Sequence, residues 1–501
     1  MTTELSLANV QGDILVGFSK KVELFYFFQI DNADAFRAQL TNLVPLISPA
    51  DKTIGEKAEI RKKKEEHRQN VDVGYGTVIK PVHFPVVGVN IAFSATGLQK
   101  LQFIDNPKLN DVIFDNGMKQ DAKELGDNNA NPGADFKPDW DPAFLQDIHG
   151  VVLIAGDSFD TTSKKLADVK ASLSTNSVSS IIEVATLAGD VRPGENSGHE
   201  HFGYLDGISQ PAIDGVDEKI LPGQAKINQG VVLLGRKGDT GNSPPWALDG
   251  SILAFRKLPQ KVPEFEKFLL ESAKSSNIDI PDGANGADIL GARLVGRWKS
   301  GAPVRLAPLA DDPELGKDEQ RNNKFKFSSN SQRSCPFAAH VRKMNPRGDL
   351  DAEIINERLI LRRGIPFGPE VTSEEKITNK TQNERGLYFV SYQSNLANGF
   401  SFLQKSWANN EKFPVEKPFL SGFDPIIGQK VDQSPPREMI GANGDNVSSP
   451  MKLEAQWVNS KGGEYFFSPS IPTLKNVIAK PPVTIPPPAN GYTYCPPEHQ
   501  G

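Results

Sequence analysis

Cysteine is nearly absent: Cys335 and Cys495 are the only two in 501 residues. Two thiols so far apart provide neither a disulfide framework nor the paired spacing of a zinc finger. Neither Cys-x-x-Cys nor His-Glu-x-x-His occurs, which removes the usual structural and hydrolytic zinc motifs. Long apolar runs are missing too. No window reaches the ~20 apolar residues of a membrane span, so no transmembrane segment is expected. A positive excess is also lacking: the net charge is -6, and there is no basic stripe of the kind nucleic acid requires. The first ten residues, MTTELSLANV, carry neither a basic region nor an apolar one, so they do not read as a signal peptide. Either the protein stays inside the cell or the sequence is a mature form with a new Met.

What is present suits a globular protein of more than one core: 38% hydrophobic and 24% charged residues. Runs rich in Val, Ile, Phe and Tyr at Val22–Ile30, Val86–Phe93, Val151–Ile154, Ile252–Phe255 and Leu387–Tyr392 predict strands. Helical patterns follow four of the five runs: Ala95–Phe103, Lys164–Leu173, Val262–Ala273 and Leu396–Trp407. The mixture points to an α+β fold with mainly antiparallel sheets. Strand-then-helix units near Val89 and Ile252 hint at two halves of similar plan. The charged run Glu56–Asn70 reads as a solvated surface, and the proline runs after Pro481 read as an extended strap.

Histidine is scarce, at seven residues, and His340 stands apart. In SCPFAAHVRKMNPRGD, Ser334 is placed to cap a helix, Pro336 suits its first turn and Pro346 ends it. Phe337, His340, Val341 and Met344 then share one face, apolar except for the imidazole. A buried imidazole needs a partner. A backbone carbonyl is the commoner one, and a metal is the alternative. A second segment, HEHFGYLDGISQP, places Asp206 beside Gly207, by itself only a turn. In a third, ILRRGIPFG, Arg362 and Arg363 follow an apolar run, as a surface feature or an anion clamp.

Together these segments resemble the dye-decolorising peroxidases. GYLDGISQP resembles that family's GxxDG motif, CPFAAHVRKMNPRGD its proximal-histidine segment, and ILRRGIPFG with RGLYFVSYQS its distal-arginine segment and pocket strand. GRWKSGAP and GFDPIIG are also similar to family sequence, and the length resembles the fungal branch. The resemblance implies two ferredoxin-like halves, residues 1–200 and 201–501, with antiparallel sheets, peripheral helices and a barrel-like assembly. It implies one haem b in the second half, held non-covalently, since no Cys-x-x-Cys-His occurs.

Carried onto this chain, His340 is the expected iron ligand, Asp424 of GFDPIIG its carboxylate partner and Arg347 a haem-propionate partner. Asp206 is the expected proton shuttle and Arg362 the stabiliser of developing negative charge. Leu387 and Phe389 correspond to the apolar distal pocket. The implied activity is reduction of hydrogen peroxide coupled to oxidation of dyes, phenolics and other bulky aromatic donors, with an acidic optimum. Bulky donors are too large for such a pocket, so a surface relay is implied: Trp407, with Tyr388 as a further possibility. Phe367 replaces the tyrosine often found after the distal arginine, which removes a relay there. Asp349, Asp351, Glu353 and Glu357 form an acidic cluster of the kind that binds a hard cation such as Mn2+. An extracellular location follows from the resemblance, with the cytoplasm as the alternative. A haem carrier or sensor, needing His340 but neither Asp206 nor Arg362, is the rival from another class. Peroxide-dependent alkene cleavage is the rival chemistry.

Overall fold

The computed structural model describes residues 4–71, 84–175, 178–275, 280–431, 436–443, 446 and 449–481. Cys495 and the proline-rich tail beyond Pro481 lie outside the described residues.

Nine strands form one antiparallel sheet. The first four are β1 (Val22–Ile30), β2 (Val87–Phe93), β3 (Gly150–Gly156) and β4 (Ile181–Asp190). The other five are β5 (Ser251–Pro259), β6 (Leu361–Arg362), β7 (Ile365–Phe367), β8 (Gly386–Gln393) and β9 (Gly462–Ser468). Their order is β6-β8-β5-β9-β2-β3-β1-β4, with β7 also paired to β8. In the first half the spatial order is second, third, first, fourth. Counting β6 and β7 as one interrupted strand, the second half repeats that order. Each half is a ferredoxin-like unit, with helices Ala33–Leu43 and Phe159–Ser172 crossing the first and Val262–Ser275 the second. The charged run lies on the helix Ala50–Val71, mostly exposed over its described side chains.

The two halves join where Phe467 of β9 pairs with Phe93 of β2. At the far edges, a Cβ on Gly189 of β4 would lie 2.5 Å from Ile365 Cγ2 of β7. The outermost strands therefore pack together and the sheet closes into a barrel. Its interior is aromatic: Phe255 lies 5.0 Å from both Phe25 and Phe27 between ring centres.

Strand residues alternate between faces, and β8 uses this to separate two environments. Tyr388 turns inward, stacked on Phe367 at 4.3 Å. Leu387 and Phe389 turn outward, to a cavity between the sheet and the second half's helices and loops.

Two expected helices are shorter than their sequence patterns. The His340 helix spans only His340–Met344, and its cap position is Ala339, not Ser334. The Arg342 guanidinium takes the carbonyl of Cys335, which a longer helix would have used. The Leu396–Trp407 pattern is broken at its start, where Asn395 Oδ1 accepts from Asn398 N–H. Helix begins only at Phe400–Phe402 and continues as the π-helix Leu403–Ala408, a form frequent at functional sites.

Candidate active site

The cavity encloses about 1860 Å³ of atom-free space, part of it open to solvent. Leu258, Val341, Ile426, Leu387, Phe389 and Phe400 give it apolar walls. Three sequence segments far apart in the chain bring polar groups to it: Asp206, His340 and Arg362 all line it.

His340 opens its helix and lines the cavity. Its Nδ1 lies 2.8 Å from Asp424 Oδ2. Asp424 is fully buried, and its Oδ1 accepts from the N–H groups of Ile426 and Ile427 at 2.8 and 3.0 Å. Burial pushes the Asp424 carboxyl up, but the His340 charge and these hydrogen bonds hold it below the usual range. As an ionised carboxylate it accepts, so Nδ1 carries the shared proton and Nε2 is free for the cavity.

Asp206 follows Gly203 and precedes Gly207, both at positive φ, a conformation glycine adopts without strain. Arg362 Nη1 donates to Asp206 Oδ1 at 2.6 Å. Their side chains are 31% (Arg362) and 43% (Asp206) exposed, so the pair is open to a small molecule entering the cavity. Burial raises the Asp206 carboxyl, but Arg362, the Gly207 N–H and His340 outweigh it and hold the group below its ordinary value.

Arg347 does not line the cavity. It sits behind the wall, donating to the Asn323 carbonyl and to Ser209 Oγ at 2.7 and 2.6 Å. Arg297 is on the wall instead, bonded to the carbonyls of Gly301 and Asn322 and to Asn323 Oδ1. GRWKSGAP gives no sign of this placement, because a cation buried in a turn leaves no periodic trace. Neither arginine pairs with a carboxylate among the described residues. Burial, with Arg347 and Arg362 nearby, pulls Arg297 down to about 9, and burial alone pulls Arg347 to about 10. A buried and a half-buried cation without anions call for one. An imidazole with a free nitrogen, apolar walls and this cationic edge together fit haem and its propionates.

Other expected sites are placed differently. Trp407 is not at the surface: it is 3% exposed, stacked on Phe413 at 4.8 Å, in a cluster with Met344 and Leu403 of the cavity wall. Tyr388 faces the barrel interior, away from the cavity, and burial raises its phenol well above the usual value. The acidic cluster does not gather. Asp349 is fully buried between Arg342 and Lys417, while Asp351, Glu353 and Glu357 stand exposed. No group of three metal-ligating side chains occurs among the described residues. Cys335 is a buried free thiol, pushed up to about 11 by burial. No helix among the described residues is long and apolar enough to cross a membrane.

A closed α+β barrel with histidine–carboxylate and arginine–carboxylate pairs at one cavity defines a class of haem peroxidase. The sequence matches the DyP dimeric alpha+beta barrel domain over residues 9–193 and the C-terminal domain of Dyp-type peroxidases over residues 293–416. A dye-decolorizing peroxidase of Mycetinis scorodonius is 42% identical over 496 residues, covering 95% of this chain and 88% of that protein. One of Auricularia auricula-judae is 42% identical over 486 residues, covering 94% and 87%. A solved ancestral D-type dye decolorizing peroxidase is 49% identical, with a TM-score of 0.86 over 95% of this chain and 100% of that one. The chain belongs to the dye-decolorising peroxidase family, whose members are haem enzymes.

Proposed function

We propose that the chain holds one haem b without a covalent bond and uses hydrogen peroxide to oxidise dyes, phenolics and other bulky aromatic donors in acid. The observation that carries this is the placing of the Asp206–Arg362 pair and of His340, backed by Asp424, at one cavity. A related solved structure, 42% identical with a TM-score of 0.82, is a complex with 2,6-dimethoxyphenol, which supports phenolic donors.

His340 Nε2 would ligate the iron, and Arg297 on the wall would face the propionates, with the charge of Arg347 behind it. Bound there, the haem supplies two-electron reduction of peroxide and the one-electron oxidations that follow. Asp424 holds His340 in one tautomer and orientation and makes its free nitrogen a stronger donor. Asp206, ionised in acid because Arg362 holds its carboxyl down, takes the proton from one peroxide oxygen and returns it to the other. Arg362 stabilises negative charge as the O–O bond breaks. Leu387 and Phe389 narrow the pocket and keep water scarce.

Bulky donors stay outside that pocket. Trp407 is the proposed stepping stone for their electrons, from an interior position one layer behind the wall. Tyr388 faces the barrel interior, away from this route, and the Asp349 carboxylate of the acidic cluster is taken by two cations of the chain. An extracellular location belongs to the same proposal, with the cytoplasm as the alternative.

An absorption spectrum before and after one equivalent of peroxide at acidic pH tests the proposal. A Soret band that shifts at once and returns on adding an anthraquinone dye supports it. A Soret band indifferent to peroxide would mean a carrier or sensor. Protein that stays colourless with added haem would remove His340 as a ligand.

A further inference from the structure

Asp206 and Arg362 belong to separate elements, a glycine-rich loop and strand β6, and one side chain spans the two. Gln210 lies four residues after Asp206 on the same loop. Its Oε1 accepts from the Arg362 N–H at 3.2 Å, and its Nε2 donates to the Arg362 carbonyl at 2.8 Å. One primary amide thus meets both backbone polar groups of one residue, as a neighbouring strand would. β6 ends the sheet on that side and pairs only with β8, where Arg362 lies opposite Ser391. Gln210 takes the place of the absent strand. The clamp is itself anchored, because Gln224 Nε2 donates to the Gln210 carbonyl at 3.0 Å. The next residue is fixed from the other half of the barrel: the Arg363 guanidinium donates to the carbonyls of Asp13, Ile14 and Leu15.

We propose that Gln210 is a positioning residue for the peroxide step, holding Arg362 where its guanidinium meets Asp206. This role rests on the functions proposed above for Asp206 and Arg362. The chemistry of the site is specific to a glutamine. Glutamate lacks the donor when ionised, an aliphatic side chain lacks donor and acceptor, and asparagine is one methylene short. Without the clamp, the short edge strand is free to shift, and a displacement of about 1 Å is enough to slow a step of this kind by about a hundredfold. Asp206 then also loses the contact that lowers its carboxyl. The charged groups acting on Asp206 are Arg362 in contact, His340 from the opposite segment and Glu200 on its own segment. Only Arg362 depends on Gln210.

The test uses the full-length haem-loaded protein carrying Gln210→Met. The rate of reaction with peroxide is followed from about pH 3 to about pH 7, across the ordinary carboxyl range, beside the Soret spectrum and thermal melting. The expected result is a peroxide rate constant lower by about ten- to hundredfold. The acid limb of its pH profile moves about one pH unit higher, because an Asp that loses an adjacent cation becomes easier to protonate. Maximal turnover with saturating peroxide and dye changes less. If Gln210→Met fails to fold or to bind haem, Gln210→Asn carries the same two readouts, since it keeps an uncharged amide but is one methylene too short for the clamp. A folded, haem-bound variant with the wild-type rate and acid limb would overturn the proposal. Arg362→Leu separates the two levels. If it abolishes the peroxide reaction while the Gln210 variants do not, Gln210 alone loses its role. If Arg362→Leu reacts normally, the distal reading falls and the clamp with it.

Discussion

Nδ1 of His340 lies 2.8 Å from Oδ2 of Asp424, a carboxylate with no exposed surface and two backbone N–H groups on its other oxygen. The pair turns an ordinary imidazole into a fixed, electron-rich ligand. Asp424→Asn should therefore lower haem affinity or activity by about ten- to hundredfold, as loss of an outer-shell partner commonly does. Haem titration of the apoprotein, monitored at the Soret band, measures the change. Affinity and activity equal to wild type would remove Asp424 from the site.

Asp206 is the second test. Asp206→Asn should leave haem absorption intact and slow the peroxide step by about 10²–10⁴-fold. In the wild type, the folded carboxyl lies below its ordinary value, so it stays ionised as pH falls and is protonated only at the acid extreme. Activity should accordingly persist well below the ordinary carboxyl range of about 3.9. A profile whose acid limb lies near neutral pH would contradict this.

Trp407 stacks on Phe413 and meets Phe402 edge-on. Trp407→Phe preserves most of that packing but replaces an oxidisable indole. The expected outcome is about a tenfold fall in kcat/KM for a bulky dye, about 1.4 kcal/mol in transition-state terms. The value for a small phenol that enters the cavity stays unchanged. Equal losses for both donors would point to packing damage rather than electron transfer.

Glu464 makes a prediction about stability rather than catalysis. Its Oε1 accepts from the N–H groups of Met118 and Tyr465, yet burial raises the carboxyl to about 7. A folded pKa above the unfolded one favours the protonated form, so folding loses stability as pH rises from about 4.3 to about 7. Glu464→Gln keeps an acceptor and removes the charge. It should stabilise the protein by on the order of 1–3 kcal/mol above pH 7 and not at all near pH 4. Thermal melting at the two pH values decides it, and an equal shift at both would rule out the ionisation.

The barrel is legible because its strands are dense in Val, Ile and Phe, and all five runs match strands within one residue at the start. β5 and β3 were read too short, their flanking Gly, Ser, Arg and Lys being held by sheet neighbours rather than by propensity. The site is legible through short motifs: His340, Asp206 and Arg362 line one cavity, and Asp424 lies behind His340. What sequence hides is who covers whom. Trp407 looks exposed beside Ser406 and Asn409 until Phe413 folds back onto it. Asp349 looks like a metal ligand until Lys417, far along the chain, reaches it. Arg297 and Gln210 act through backbone groups, and no residue pattern announces such a contact.

The seam between Phe467 and Phe93 sets a timetable for synthesis. Strand β5, which presents Arg256 and Leu258 to the cavity, gains its second neighbour only from β9. Val458, also on the cavity wall, comes just before that strand. A ribosome has therefore translated through Ser468 before the pocket has all its walls. A chain truncated before residue 462 should accordingly remain unable to retain haem.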